Sequence, residues 1–172
     1  NMLSTIHELE RDVDRLQRIA DRFNKIGSEP ELKVMRVGPI LRNVTTYMGR
    51  RMPQLGGKVQ LYKDIEMEAR VALNEQLFTW ALENLIKNAI DAMGDKTEGY
   101  VKISSRTAPT GLQIDVEDSG KGIERRDFKD VFNPGYSTKK RGWGLGLSLA
   151  RRIIEEYHGG KISIYESTPG EG

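Results

Sequence analysis

The hydrophobic pattern is most regular between Phe78 and Met93. At about 3.6 residues per turn, the apolar side chains of this stretch share one side of a helix, and Asn84, Asn88 and Asp91 share the other. Asn is a mediocre helix former, so two of them in mid-helix have two explanations: a solvated face, or a ligand site whose amide oxygens suit Mg2+ carried in by phosphates. The apolar positions are Phe78, Leu82, Leu85, Ile86, Ala89 and Met93.

A second, narrower apolar stripe opens the chain. Its members alternate between spacings of four and three residues, which is typical of a coiled-coil seam, and they predict one long helix over residues 1–26 that packs against a partner helix. Gly27 to Pro30 ends this helix, so we predict a domain boundary there, with units at 1–29 and 30–172. The seam consists of Met2, Ile6, Leu9, Val13, Leu16, Ala20 and Phe23.

The other elements are shorter. Asn74 is the predicted N-cap of the central helix and Gly94 its C-terminal stop, while glycine pairs at 56–57 and 159–160 predict a turn and the end of the last helix. Helices mixed with mostly antiparallel strands predict an α+β fold, with the helices on one face of a single sheet. The predicted strands are 32–37, 59–65, 69–73, 100–107, 112–117 and 161–166, and the further helices are 39–52 and 145–157.

Composition narrows the function classes. The 172 residues suit one domain with an appendage, and the lack of cysteine excludes a disulfide framework and a thiolate metal site. No apolar run approaches the ~18 residues of a membrane span, so we expect a soluble, cytoplasmic stretch that does not contact a membrane. The net charge of +2 is too balanced to indicate a nucleic-acid partner.

The charge is concentrated in one loop. Residues 119–143 hold seven basic and three acidic residues, so this glycine-rich segment is +4 while the rest of the chain is −2. Only a short helix around 125–131 is predicted within it. Loops of this length inside a domain are usually functional or disordered, and the charge indicates an anionic ligand.

Two motifs flank this loop. Asp118, with Gly120 and Gly122, follows a strand; its carboxylate could accept a hydrogen bond from an amine such as adenine N6, or form a plain Asx turn. Residues 142–147 open a helix, whose free N–H groups could bind phosphate, although a flexible hinge also fits. No strand precedes these glycines, so a Rossmann motif is excluded.

A third motif, residues 132–140, lies between the other two. It combines hydroxyl groups with lysines, which suits anionic oxygens, although an exposed basic loop is the plainer explanation. The four stretches NLIKNAIDAM, DSGKGI, FNPGYSTKK and GWGLGLSLA, in this order, resemble the N box, first glycine box, F box and second glycine box of the sensor histidine kinase ATP-binding domain. The resemblance covers about residues 32–172, and Asp12 to Leu16 is similar to part of the second helix of the kinase dimerisation hairpin.

The resemblance implies a fold and a site. The fold is the two-layer α+β sandwich shared with gyrase B, Hsp90 and MutL, in which a mixed, mostly antiparallel sheet packs on helices. Asn88 would ligate Mg2+ on the ATP phosphates with support from Asn84, Asp118 would read adenine, and residues 120–143 would form the ATP lid. The implied nucleotide-binding set is Asn84, Lys87, Asn88, Asp91, Asp118, Gly120, Gly122, Ile123, Tyr136, Ser137, Thr138, Lys139, Gly142, Trp143, Gly144, Leu145, Gly146 and Leu147.

The resemblance also implies an activity, transfer of the ATP γ-phosphoryl group to a histidine. The acceptor would lie on the hairpin of the same or the partner subunit of a homodimer, and a response regulator receiver domain would take the phosphoryl group onward. His7 does not fit as the acceptor, because Glu10-Arg11-Asp12 follows instead of the family pattern, so this stretch alone is expected to be inactive. His158 is interpreted as a C-terminal helix cap, and the whole protein as a membrane-anchored or cytoplasmic sensor.

Three alternatives remain: an ATP-hydrolysing switch of the gyrase or Hsp90 type, a serine/threonine kinase of the same fold, and a non-catalytic docking partner. Asn84 stands where hydrolysing relatives carry a glutamate, which favours phosphoryl transfer. Asp91 replaces a residue that is basic in many histidine kinases, so its role is open. The family usually continues beyond residues 168–172 into a last strand.

Overall fold

The computed structural model describes residues 30–51, 58–94, 98–137 and 144–172. The chain divides into two units, Asn1–Glu31 and Leu32–Gly172, and every element below lies in the second. The predictions for residues 1–29, including the seam and His7, lie outside the described residues. So do the turn at 56–57 and the site residues Thr138, Lys139, Gly142 and Trp143.

Most predicted elements form close to their predicted bounds. The central helix begins after Asn74, whose side-chain oxygen accepts the Leu77 N–H at 3.1 Å, and the chain leaves it through Gly94 at φ +55°. The last helix starts at Gly146 and continues as a π-helix over Ile153–Tyr157. The elements are β1 Lys33–Arg36, α1 Val37–Arg51, β2 Lys58–Ile65, β3 Arg70–Leu73, α2 Glu75–Ala92, β4 Glu98–Ala108, β5 Gly111–Asp118 and α3 Gly146–Arg152.

The described strands form two sheets rather than the single sheet predicted. β1 and β3 pair antiparallel, with Lys33 opposite Leu73. The larger sheet has the order β2-β4-β5, with β2 parallel to β4 and β4 antiparallel to β5. A parallel pair needs a crossover connection, which α2 supplies between β2 and β4.

The core lies between the helices and the larger sheet. α1 contributes Leu41 and Val44, α2 contributes Leu82 and Ile86, and β4 contributes two side chains with no exposed surface, Val101 and Ile103. Helices therefore cover one face of the sheet, and this α+β layering is the fold class that the sequence predicted. No helix in the described ranges combines the length and hydrophobicity that crossing a membrane requires.

The predicted strand over residues 161–166 is wrong. Burial does alternate there, with Ile162 and Ile164 half-buried and Tyr165 72% exposed, but the segment forms no strand. Its backbone is tied by a side chain instead, since the Glu155 carboxylate accepts the Ile162 N–H. Alternation reports which face is covered, whereas a strand also needs a hydrogen-bonding neighbour.

Candidate nucleotide-binding site

The two asparagines of α2 meet the beginning of α3. A Cβ built on Gly146 would lie 3.3 Å from Asn84 Oδ1 and 3.5 Å from Asn88 Nδ2. Both asparagines are half-buried, and the α2 surface that carries them lies opposite the buried Leu82, Ile86 and Ala89. The predicted polar face of α2 therefore faces the predicted phosphate-binding glycines. A larger residue at position 146 would narrow the gap between them.

The Asn84 amide is fixed in orientation. Its Nδ2 donates a hydrogen bond of 2.9 Å to the backbone oxygen of Trp80, one turn earlier in the same helix. Because the nitrogen is engaged within α2, the side-chain oxygen is the atom that faces Gly146. The arrangement gives this end of α3 a neutral acceptor rather than a carboxylate.

Asp118 and Gly120 lie at the other end of this α2 surface. Gly120 donates its N–H to Asp118 Oδ1 at 2.9 Å, and a Cβ on Gly120 would lie 2.6 Å from the Ala92 Cβ. Lys121 donates its backbone N–H to the Ala92 oxygen at 3.0 Å. The loop after β5 is thus pressed onto the C-terminal end of α2, four residues beyond Asn88, or about 6 Å along the helix axis.

Gly122 packs against the C-terminal turn of the chain. Its φ is +69°, and a Cβ would lie 2.3 Å from the Thr168 oxygen, so no side chain fits. The next residue, Ile123, donates its N–H to the Ser167 hydroxyl at 2.8 Å. The first glycine motif therefore shapes the loop through contacts with residues 167–169.

The motif at 132–137 is joined to the second glycine motif. Gly135 donates its N–H to the Gly144 oxygen at 3.0 Å, and Gly144, at φ +62°, leaves no room for a Cβ beside Gly135 and Tyr136. Phe132 is buried, and the Arg151 guanidinium of α3 lies 5.9 Å from its ring centre. These contacts hold the turn before residue 138 against the start of α3.

Tyr136 has a perturbed hydroxyl. Loss of solvent raises its pKa above the ordinary value of 10, and the negative charge and hydrogen bond of Asp127 raise it further. The hydroxyl therefore stays protonated at neutral pH and remains a hydrogen-bond donor in the segment that leads to residue 138.

The remaining predicted residues lie around these contacts. Lys87 and Leu145 are exposed, Asp91 and Leu147 are half-buried, and Ser137 is exposed at the edge of the described loop. In the described ranges, no group of three or more His, Cys, Asp or Glu side chains could hold a metal ion. A metal here would depend on amide oxygens and on the phosphates of its ligand.

Three residues in or next to this site differ from the sequence prediction in their burial or in their contacts. Trp80 is buried and supplies the oxygen that fixes Asn84, whereas Leu85, predicted to be in the core, is half-buried. The apolar face of a helix is wide, so helical periodicity does not predict which residues near its edge, such as Trp80 and Leu85, are fully buried. His158 joins two helices, which its position after an apolar helix gave no means to predict.

Comparison with known proteins defines the class. Residues 73–172 match the family described as histidine kinase-, DNA gyrase B-, and HSP90-like ATPase. The catalytic domain of histidine kinase ThkA is 30% identical with a TM-score of 0.66, over 81% of this chain and 96% of that one. The chain therefore belongs to this ATPase family, and it is an ATP-binding domain.

Several relatives of this chain are sensor histidine kinases. Sensor histidine kinase ZraS of Klebsiella oxytoca is 30% identical over 168 residues, which is 95% of this chain and 35% of the relative. ThkA in complex with the response regulator protein TrrA is 27% identical, with a TM-score of 0.69 over 90% of this chain and 44% of that one. The domain is thus similar to histidine kinase catalytic domains, and it spans between about a fifth and about a third of the length of the curated relatives it matches.

Proposed function

We propose that this domain binds ATP with Mg2+ between α2 and the start of α3 and delivers the γ-phosphoryl group to a histidine of a dimerisation hairpin. The observation that carries the proposal is the approach of the Asn84 and Asn88 amides to Gly146. It brings the Asn84 side-chain oxygen and the Asn88 amide group to the N-terminal end of a helix, where backbone N–H groups favour phosphate.

Asn88 is the proposed metal ligand. Amide oxygens are hard ligands that suit Mg2+, which takes most of its other ligands from phosphates and water. Its half-buried position one turn from Asn84 and next to Gly146 fits that role. The ion would supply neutralisation of the phosphate charge, while the domain supplies position.

Asp118 is the proposed base-reading residue. A carboxylate offers about four acceptor positions, so it can accept from an adenine amine as well as from the Gly120 N–H. Gly120 holds this carboxylate beside the end of α2, and Gly122 packs the same loop against Thr168. In this arrangement the adenine base lies near Ala92 at the end of α2. The metal ion lies at Asn88, and the phosphates lie between the two asparagines of α2 and Gly146 of α3.

The loop residues complete the proposed site on the phosphate side. Gly144 to Leu147 present the start of α3, and Ser137 follows Tyr136 in the turn packed against Gly144. We assign phosphate contacts to these residues, and also to Thr138, Lys139, Gly142 and Trp143 on the strength of the sequence motifs.

Phosphoryl transfer is favoured over hydrolysis by the chemistry at position 84. A carboxylate at this position could accept a proton from an attacking water, whereas the amide of Asn84 cannot. The neighbouring carboxylate, Glu83, lies about 100° around the helix from Asn84. An acceptor group from another domain therefore takes the place of water.

The partners follow from this chemistry. The acceptor histidine would come from the hairpin of the same or the partner subunit in a homodimer, and residues 1–29 would be part of that hairpin. A response regulator receiver domain would accept the phosphoryl group next, a pairing supported by the solved complex of ThkA with TrrA. Mg-ATP is the cofactor pair that this function requires.

A nucleotide titration tests the metal assignment. We expect Asn88→Ala to weaken ATP binding by about 1–3 kcal/mol in Mg2+, because a polar partner of the bound ion is removed, and to have a much smaller effect in EDTA. Calorimetry on the folded domain measures both. The matched control is Asn43→Ala, an exposed asparagine of α1, which should bind as the unaltered chain does. If Asn88→Ala keeps the full Mg2+ dependence, Asn88 is not the ligand.

A further inference from the structure

His158 joins the two helices of the nucleotide site at the end remote from Gly146. Its Nε2 lies 3.0 Å from the backbone nitrogen of Asn74, and its Nδ1 lies 2.8 Å from the backbone oxygen of Ile153. The ring is half-buried, and its centre lies 6.2 Å from that of Phe78 in α2.

These two partners fix the protonation of the ring. The Asn74 nitrogen is a donor, so Nε2 must accept and carries no hydrogen. The Ile153 oxygen is an acceptor, so Nδ1 must carry the hydrogen and donate it. His158 is therefore a neutral imidazole in the Nδ1–H form. It caps the helix by a hydrogen bond to Ile153, not by the positive charge that a dipole cap requires.

The position of His158 relative to the site follows from the two helices. Asn74 is the N-cap of α2, and Ile153 begins the π-helix that continues α3. α3 starts beside Asn84 and Asn88 and ends beside Asn74, so the two helices run antiparallel. The Gly146 contacts and the His158 bridge lie at opposite ends of their interface.

The two contacts of His158 can therefore affect the position of Gly146 at the other end of the helix pair. Gly146 and His158 are 12 residues apart, or about 18 Å along a helix, so a tilt of about 3° at the His158 end shifts the Gly146 end by about 1 Å. Displacements of that size matter in sites that depend on position rather than on covalent chemistry.

We propose that His158 is a positioning residue of the nucleotide site, which holds α3 against the N-cap of α2 so that the Gly146 N-terminus stays aligned with Asn84 and Asn88. The proposal rests on the proposed function, since it concerns the same ATP site. His158 touches neither the nucleotide nor the metal in this account and acts only through the two helices.

The test compares nucleotide affinity with stability in three variants. His158→Phe keeps an aromatic ring beside Phe78 but loses both hydrogen bonds, and His158→Gln keeps an acceptor for the Asn74 N–H. Thr45→Ala is the matched control, because it removes a buried hydroxyl that bonds to Leu41 within α1, away from the α2–α3 interface. Denaturant unfolding gives the stability of each, and calorimetry with Mg-ATP is run where each is fully folded.

We expect His158→Phe to bind Mg-ATP about 3- to 30-fold more weakly, His158→Gln to fall between it and the unaltered domain, and Thr45→Ala to lose stability with unchanged affinity. Long-range proton–nitrogen NMR should show the imidazole of the unaltered domain protonated at Nδ1 alone. If His158→Phe does not fold, the Gln variant and the NMR signal decide. Unaltered affinity in the folded His158 variants, or a hydrogen on Nε2, would overturn the proposal while leaving the ATP site intact; an unaltered domain that binds no Mg-ATP would overturn both.

Discussion

The Asp118 side chain both forms a turn and provides the proposed contact to the nucleotide base. Its Oδ1 accepts the Gly120 N–H, as a plain Asx turn requires, and the same turn sets the carboxylate at the end of α2. The structural and the ligand-binding interpretations of this residue are therefore compatible. A preference for one nucleotide base would show that Asp118 binds the ligand, because an Asx turn alone does not distinguish nucleotides.

We expect the unaltered domain to prefer ATP over GTP, since guanine presents a carbonyl where adenine presents an amine and two acceptors would then face each other. Asp118→Asn keeps an oxygen for the Gly120 N–H and adds a donor, so the preference should shrink. Competition binding of ATP and GTP to both proteins measures it. Equal affinities of the unaltered domain for the two nucleotides would remove Asp118 from base recognition.

Among the helices and strands, the sequence predicts an element well when the residues that start it, end it and form its apolar face all lie within it. The α2 helix has an N-cap at Asn74, an apolar face and a glycine exit, and all three were predicted and formed. Residues 161–166 show the limit, because their alternation was real but pairing depends on a distant strand. Contacts such as Gly122 with Thr168 and His158 with Asn74 join distant parts of the chain, so no local pattern could predict them.

The end of α3 carries a pH-dependent contribution to stability. The hydrogen bond from Arg151 to Glu155, 2.9 Å long, lowers the pKa of Glu155 below its ordinary value of 4.5, and the Ile162 N–H adds to this. A folded-state pKa below the unfolded one means that the stabilisation is present above the unfolded pKa and is lost as the pH falls through the folded pKa.

We therefore expect Glu155→Gln to reduce the free energy of unfolding by about 0.3–0.5 kcal/mol at neutral pH, and the difference to vanish in acid. Urea unfolding between neutral and acidic pH measures this difference. Glu156→Gln, which removes the charge of the more exposed neighbouring pair with Arg152, serves as the comparison. A difference for Glu155→Gln that is constant with pH would show that the carboxylate charge is not the cause.

Over the whole domain, the described parts of the two glycine motifs meet the motif on α2, and residues 132–137 join the second glycine motif. Residues 28 to 62 positions apart meet on α2: Gly120 lies on Ala92, and Gly146 faces Asn84 and Asn88. The family and the fold could be predicted because each motif occurs in the expected order. The roles of the motifs as nucleotide contacts stay predictions until ligand binding is measured.

The proposed histidine kinase activity is tested by phosphoryl transfer from labelled ATP to a separately supplied dimerisation hairpin that carries an acceptor histidine, with Asn88→Ala as the inactive control. We predict a Mg2+-dependent label on the hairpin that acid removes and alkali leaves in place, the behaviour of phosphohistidine, and negligible phosphate release without the hairpin. An acid-stable label, or steady ATP hydrolysis with no label on the hairpin, would contradict the account.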